Sequence, residues 1–131
     1  MVLSSEMKML FYSCILGIIQ LLLAAAMTTK ERGLQWNLSS RDNPIPPLSG
    51  IAGRLDRAFK NFMETFPFFI ATTLIVQVTG MANATTTLGA QLYFWARLIY
   101  VPFYAFGIIG ARTLIWVVSL VGLLMIFSAL L

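Results

Sequence analysis

Histidine is missing from all 131 residues, and cysteine occurs once, as Cys14. The chain therefore has no disulfide framework of its own, no Cys/His zinc site and no cysteine–histidine nucleophile pair. Cys14 lies in an apolar run whose nearest charges are Lys8 and Lys30. Nothing nearby activates the thiol, so it reads as an inert, buried packing residue. Charge is scarce too: 11% of residues are Asp, Glu, Lys or Arg, against ~25% in soluble domains. There is no glycine-rich phosphate loop, no cluster of carboxylates for a metal and no internal repeat. Bases outnumber acids, for a formal charge of +4. They flank apolar runs, which points to membrane orientation, with no nucleic acid as partner.

What the chain has in quantity is apolar length. Hydrophobic residues make up 59%, and the mean hydropathy is +0.84. A helix needs ~20 apolar residues to cross a bilayer. Four segments qualify, at about 9–27, 58–80, 85–107 and 113–131. The expected fold is all-α, a single multi-pass membrane domain built as a four-helix bundle. Lys8, the first apolar run and Ala24-Ala25-Ala26 also resemble a secretory signal. The run exceeds the ~7–15 residues of a signal core, which favours a retained helix.

The one long polar stretch, Thr28 to Gly53, joins the first two segments. Pro44, Pro46 and Pro47 forbid a regular helix there. Loops of this length in small domains are often functional, although a plain linker is the alternative. Lys30, Arg32, Arg41, Arg54, Arg57 and Lys60 flank this connection, Arg112 marks the last one, and the middle one has no base. The loop at about 28–57 should thus face the cytoplasm, with both termini on the far side and, in a bacterium, the inner membrane as location.

Polar residues enter two of the apolar segments. In GRLDRAFKNFMETFPFF, Arg54, Arg57, Asn61 and Glu64 fall within an arc of roughly 80° at ~100° per residue, with Phe68 continuing that face. In the third segment Tyr93, Arg97, Tyr100 and Tyr104 fall within roughly 60°. Antiparallel packing puts Asn61 level with Tyr104, and Arg97 about one turn deeper than Glu64. An arginine in mid-span costs at least ~2.5–3.5 kcal/mol and almost always has a partner. One reading pairs Glu64 with Arg97 and uses the tyrosines as interhelical glue. The other notes that one carboxylate does not offset Arg57, Arg97 and Arg112, so the pocket invites an anion, with Glu64 free to hold an ammonium. Pro67 and Pro102 sit inside the two segments and should bend their helices.

RLDRAFKNFMETFPFF resembles the second-helix motif of the MAPEG family, the membrane-associated proteins in eicosanoid and glutathione metabolism. The matching positions are Arg57-Ala58, Asn61, Glu64 and Pro67. The run ARLIYVPFYAFG is similar to the third-helix motif in Ala96-Arg97, Tyr100 and Tyr104. Thr65 stands where some members have tyrosine. The resemblance implies a homotrimer that binds glutathione as co-substrate between neighbouring subunits. It implies Arg57, Asn61 and Glu64 at the tripeptide's charged ends, with Tyr100 and Tyr104 as further contacts. Arg54 and Arg97 join them as candidate binding residues, and Arg112 is the candidate for stabilising the thiolate. The implied partners are a second and third copy, membrane lipid and a small apolar substrate.

The expected function is a glutathione-dependent transferase or peroxidase acting on apolar electrophiles or lipid hydroperoxides. The alternatives are a non-catalytic binding or scaffold protein of the same fold, and a small transporter subunit. The last is poorly served by the sequence, since beyond Phe69 the second segment offers only Thr72, Thr73, Gln77 and Thr79.

Overall fold

A computed structural model describes residues 2–131. The chain forms α1 (Ser5–Arg32), α2 (Leu34–Leu38), α3 (Gly50–Thr79), α4 (Ala84–Ala105) and α5 (Ala111–Ser128). There is no strand among the described residues. Of the long helices, α1, α3 and α5 are long and apolar enough to cross a membrane. α4 has 22 residues, enough for a crossing, but Gln91, Arg97 and its threonines and tyrosines dilute its apolar character.

The helices outrun the apolar segments. α3 begins at Gly50, eight residues before the expected start at 58, and α1 continues to Arg32. The connection between them shrinks to 33–49 and contains α2. The prolines do forbid helix where they stand, but they occupy only the second half of the loop. Glu31 fastens its far end: the Ser49 hydroxyl donates to Glu31 Oε1 at 2.7 Å, beside the Ser49 N–H. α4 starts on a capping box, in which Asn83 Oδ1 accepts from the Thr86 N–H at 2.9 Å and Thr86 Oγ1 accepts from the Asn83 N–H at 2.8 Å. This satisfies two backbone donors that a helix start leaves free. α3 runs on through Pro67 and α4 through Pro102.

α1 packs on α3, α4 packs along α5, and α3 and α4 meet across the middle. The core is built around Phe62, Phe69, Val76, Ala90, Tyr93 and Ile126, with Leu16 from α1 and Leu123 from α5. Phe69 stacks on Tyr93 with ring centres 4.1 Å apart. Glu6, which its sequence context does not single out, is buried and accepts hydroxyl bonds from Thr86 at 2.7 Å and Thr87 at 2.9 Å. These tie the start of α1 to the start of α4. Cys14 is exposed on the outer face of α1, among Phe11, Ile15, Ile18 and Leu22. The expected burial is therefore wrong: an apolar neighbourhood in a membrane helix faces lipid as readily as core.

α4 and α5 approach at Gly89 and Gly122. A Cβ on Gly122 would lie 2.6 Å from the Gly89 carbonyl oxygen, and one on Gly89 2.5 Å from that of Gly122. Such backbone contact is how membrane helices gain van der Waals attraction without a hydrophobic drive. Gly122→Ala must push the helices apart, and overpacking of this kind costs about 1–3 kcal/mol. The expected outcome is a lower unfolding temperature in detergent, read by circular dichroism.

Candidate functional site

The stripe on α4 turns inward. Tyr93, Arg97 and Tyr100 are buried, and Tyr104 is half-buried. The stripe on α3 does not turn to meet it. The inner face of α3 is Leu55, Ala58, Phe62, Thr65, Phe66 and Phe69. At ~100° per residue that face lies about 110° round the helix from the line through Arg54, Arg57, Asn61 and Glu64. The polar line runs along the edge of the bundle. Asn61 is half-buried, while Arg57, Glu64 and Phe68 are exposed.

The consequences differ by residue. Thr65 makes the buried contact to α4, its hydroxyl 3.0 Å from that of Tyr93. Glu64 makes no ion pair with Arg97; the ion pair among the described residues is Lys60–Asp56, at 2.9 Å. Arg54 is taken up elsewhere, its Nε donating to the Ala105 carbonyl at 2.7 Å. There it satisfies one of the carbonyls left free at the end of α4.

What does converge is a set from three helices at the loop end. Asn61, Tyr100, Tyr104, Arg112, Thr113 and Trp116 line a cavity of about 280 Å³. Arg57 reaches the same place from the edge of α3, its Nε donating to the Tyr104 hydroxyl at 3.1 Å. Arg112 also stands against Tyr104, 4.4 Å from the ring centre. The Tyr100 and Tyr104 rings are tilted against each other at 5.6 Å. Arg97 lies beneath, 4.3 Å from the Tyr100 ring centre and 5.8 Å from that of Phe62.

Arg97 is the unusual member. It is 1% exposed, and Nε, Nη1 and Nη2 all lack a hydrogen-bond partner. Ring faces offset part of its desolvation, by about 0.5–2 kcal/mol each. They accept no N–H in the way a carboxylate does. Asn61 Oδ1 and Trp116 Nε1 are likewise buried without a partner. The site thus holds three guanidinium groups, an open acceptor and an open indole donor. Trp116 and Thr113 escape notice in the sequence, although Trp116 sits one turn after Arg112.

Arg112 occupies the first turn of α5, whose N-cap, Gly110, has no capping side chain. A helix start carries partial positive charge. Both contributions have the same sign at this end of the cavity, which suits an anion.

Comparison with curated proteins and with solved structures gives no significant match. The match to a family model is nearly complete: it covers residues 9–131, from the first apolar helix to the last residue of the sequence. It takes in all but the first four residues of α1, the other three long helices and every member of the cavity, and the chain belongs to the MAPEG family.

Proposed function

We propose that the chain is a membrane-bound transferase or peroxidase that uses glutathione against apolar electrophiles or lipid hydroperoxides arriving from the bilayer. The observation that carries this reading is the convergence of Arg57, Arg97 and Arg112 on Tyr100 and Tyr104, with no carboxylate paired to any of them. Family membership supports the same class of activity.

Glutathione fits these residues by charge: it carries two carboxylates, one ammonium and a thiol. Arg57 and the Trp116 N–H are suited to its carboxylates, with Arg97 adding positive charge from beneath the cavity, and Asn61 Oδ1 is suited to an N–H. Arg112 is assigned to the sulfur, where a fixed guanidinium and the start of α5 favour thiolate over thiol. Glutathione itself supplies the nucleophile, so the chain needs none. Its residues position the tripeptide and stabilise negative charge in place. Tyr104 is in contact with both Arg57 and Arg112.

Glu64, the group of choice for the ammonium, opens onto the outer face of α3. An exposed carboxylate at this depth of an apolar helix calls for cover. A second copy of the chain laid along α3 would enclose Glu64 and the open side of the cavity, in keeping with a homotrimer. In the same reading α4 is a fourth span, the loop end faces the cytoplasm and both termini face away from it. Arg54, tied to Ala105, has a positioning role.

Glutathione added to the detergent-purified protein should produce ultraviolet thiolate absorbance. Arg112→Leu should abolish that signal even at glutathione concentrations that offset a loss of binding of about 10- to 150-fold, since one charge-assisted contact is worth ~1.5–3 kcal/mol. Binding by calorimetry with no thiolate signal in the unaltered protein would instead favour a non-catalytic MAPEG-fold binding or scaffold protein. Absence of binding at millimolar glutathione would end the enzyme reading. The detergent-corrected mass should be that of three chains, and a monomeric mass would remove the enclosing neighbour.

A further inference from the structure

The loop end carries a second basic cavity that the glutathione reading does not use. It measures about 440 Å³ and lies between the end of α1, α2, the Pro47–Leu48 segment and the first turns of α3. Arg32, Arg41, Arg57 and Lys60 line it against one carboxylate, Asp56. Asp56 is engaged by Lys60 at 2.9 Å. Glu31, the nearest other acid on α1, is turned to Ser49. Asp42, next to Arg41 in the chain, forms no ion pair among the described residues.

Arg32 and Arg41 both stack on Trp36, each 4.7 Å from its ring centre. Two like charges are thus held beside one indole with no acid between them. Arg41 is oriented by Asn37, whose carbonyl and Oδ1 accept at 3.1 and 2.7 Å. Arg32 donates to the Pro46 carbonyl at 3.2 Å, while its Nε and the Trp36 Nε1 are buried without partners. Gly53 lets this wall close: a Cβ there would come within 2.7 Å of the Leu48 carbonyl and 3.1 Å of an Arg57 nitrogen.

The cavity does not end at its basic wall. Thr28, Trp36, Arg41, Asp56 and Lys60 also line an adjoining cleft of about 280 Å³. That cleft continues between α1 and α3 along Leu21, Ala24, Ala25 and Phe59, toward the apolar middle of both helices. A basic chamber that opens into an apolar cleft has the polarity of a lipid. A soluble phosphate would need the first compartment alone.

We propose that this pair of compartments binds one acidic phospholipid, its phosphate between Arg32 and Arg41 and an acyl chain in the cleft between α1 and α3. Basic side chains near a membrane surface attract anionic headgroups, and guanidinium forks match phosphate oxygens. The test is native mass spectrometry of the full chain in detergent with phosphatidylglycerol, phosphatidylcholine or soluble glycerol phosphate. Phosphatidylglycerol should be retained about tenfold better than phosphatidylcholine, and glycerol phosphate should not displace it. Arg41→Gln, on the exposed loop, and Arg32→Gln should each bring retention down to the phosphatidylcholine level. Arg112→Leu, outside both compartments, should leave it unchanged. Equal retention of the two lipids, or full retention in the Arg32→Gln, Arg41→Gln double variant, would overturn the proposal. Displacement by glycerol phosphate would overturn it in favour of a soluble ligand.

Discussion

A guanidinium group sealed among apolar helices with no acid in ion-pair range is the constraint around which the rest is arranged. Arg97 is 1% exposed and leans on two ring faces. A chain seeking stability alone gains nothing from this arrangement, because burying an uncompensated charge is among the most expensive things a fold can do. The surroundings limit the expense. Phe62 and Tyr100 present the electron-rich faces that a flat cation tolerates best. The Tyr93 hydroxyl is engaged by Thr65 on α3. The residual positive field points toward Tyr100 and Tyr104, where Arg57 and Arg112 add to it.

α3 separates two chambers of like charge. Arg57 sits on the dividing wall, with its Nε on Tyr104 and the rest of its fork lining the loop-side cavity. Asp56 and Lys60, one step before and three after, face the loop side only and neutralise each other. The loop chamber is therefore basic through Arg32 and Arg41, and the inner one through Arg112 on its wall, with Arg97 buried beneath it. The separation follows from helical geometry, since neighbouring residues leave the axis ~100° apart.

Much of this was readable in the sequence, and the failures have physical reasons. The apolar segments located all four long helices, and the Tyr93–Arg97–Tyr100–Tyr104 spacing marked an inward face. The same arithmetic on α3 ordered Arg54, Arg57, Asn61 and Glu64 correctly around the axis. It did not say where that line pointed relative to the neighbour. Phe62, Phe66 and Phe69 decide that, because aromatic bulk claims the inner face and turns Glu64 out. A wheel has no zero of angle until packing supplies one. Arg54 went astray for another reason: the free carbonyls at the end of α4 are invisible until the helix ends are known. Cys14 was misplaced because lipid and core are equally apolar solvents. Glu6 was missed because its partners, Thr86 and Thr87, are far away in the chain, and Trp116 because the cavity it lines is shared with α3 and α4.

Gly89 and Gly122 bring the backbones of α4 and α5 into contact. That contact has a mechanical meaning for the inner cavity. Tyr100 and Tyr104 descend from one of these helices, Arg112, Thr113 and Trp116 from the other. Locked together, they form a single rigid jaw. The opposing jaw is α3, which meets α4 through larger side chains, with Phe69 stacked on Tyr93. Any widening of the cavity to admit a molecule is then a displacement of Asn61 and Arg57 against a stationary wall.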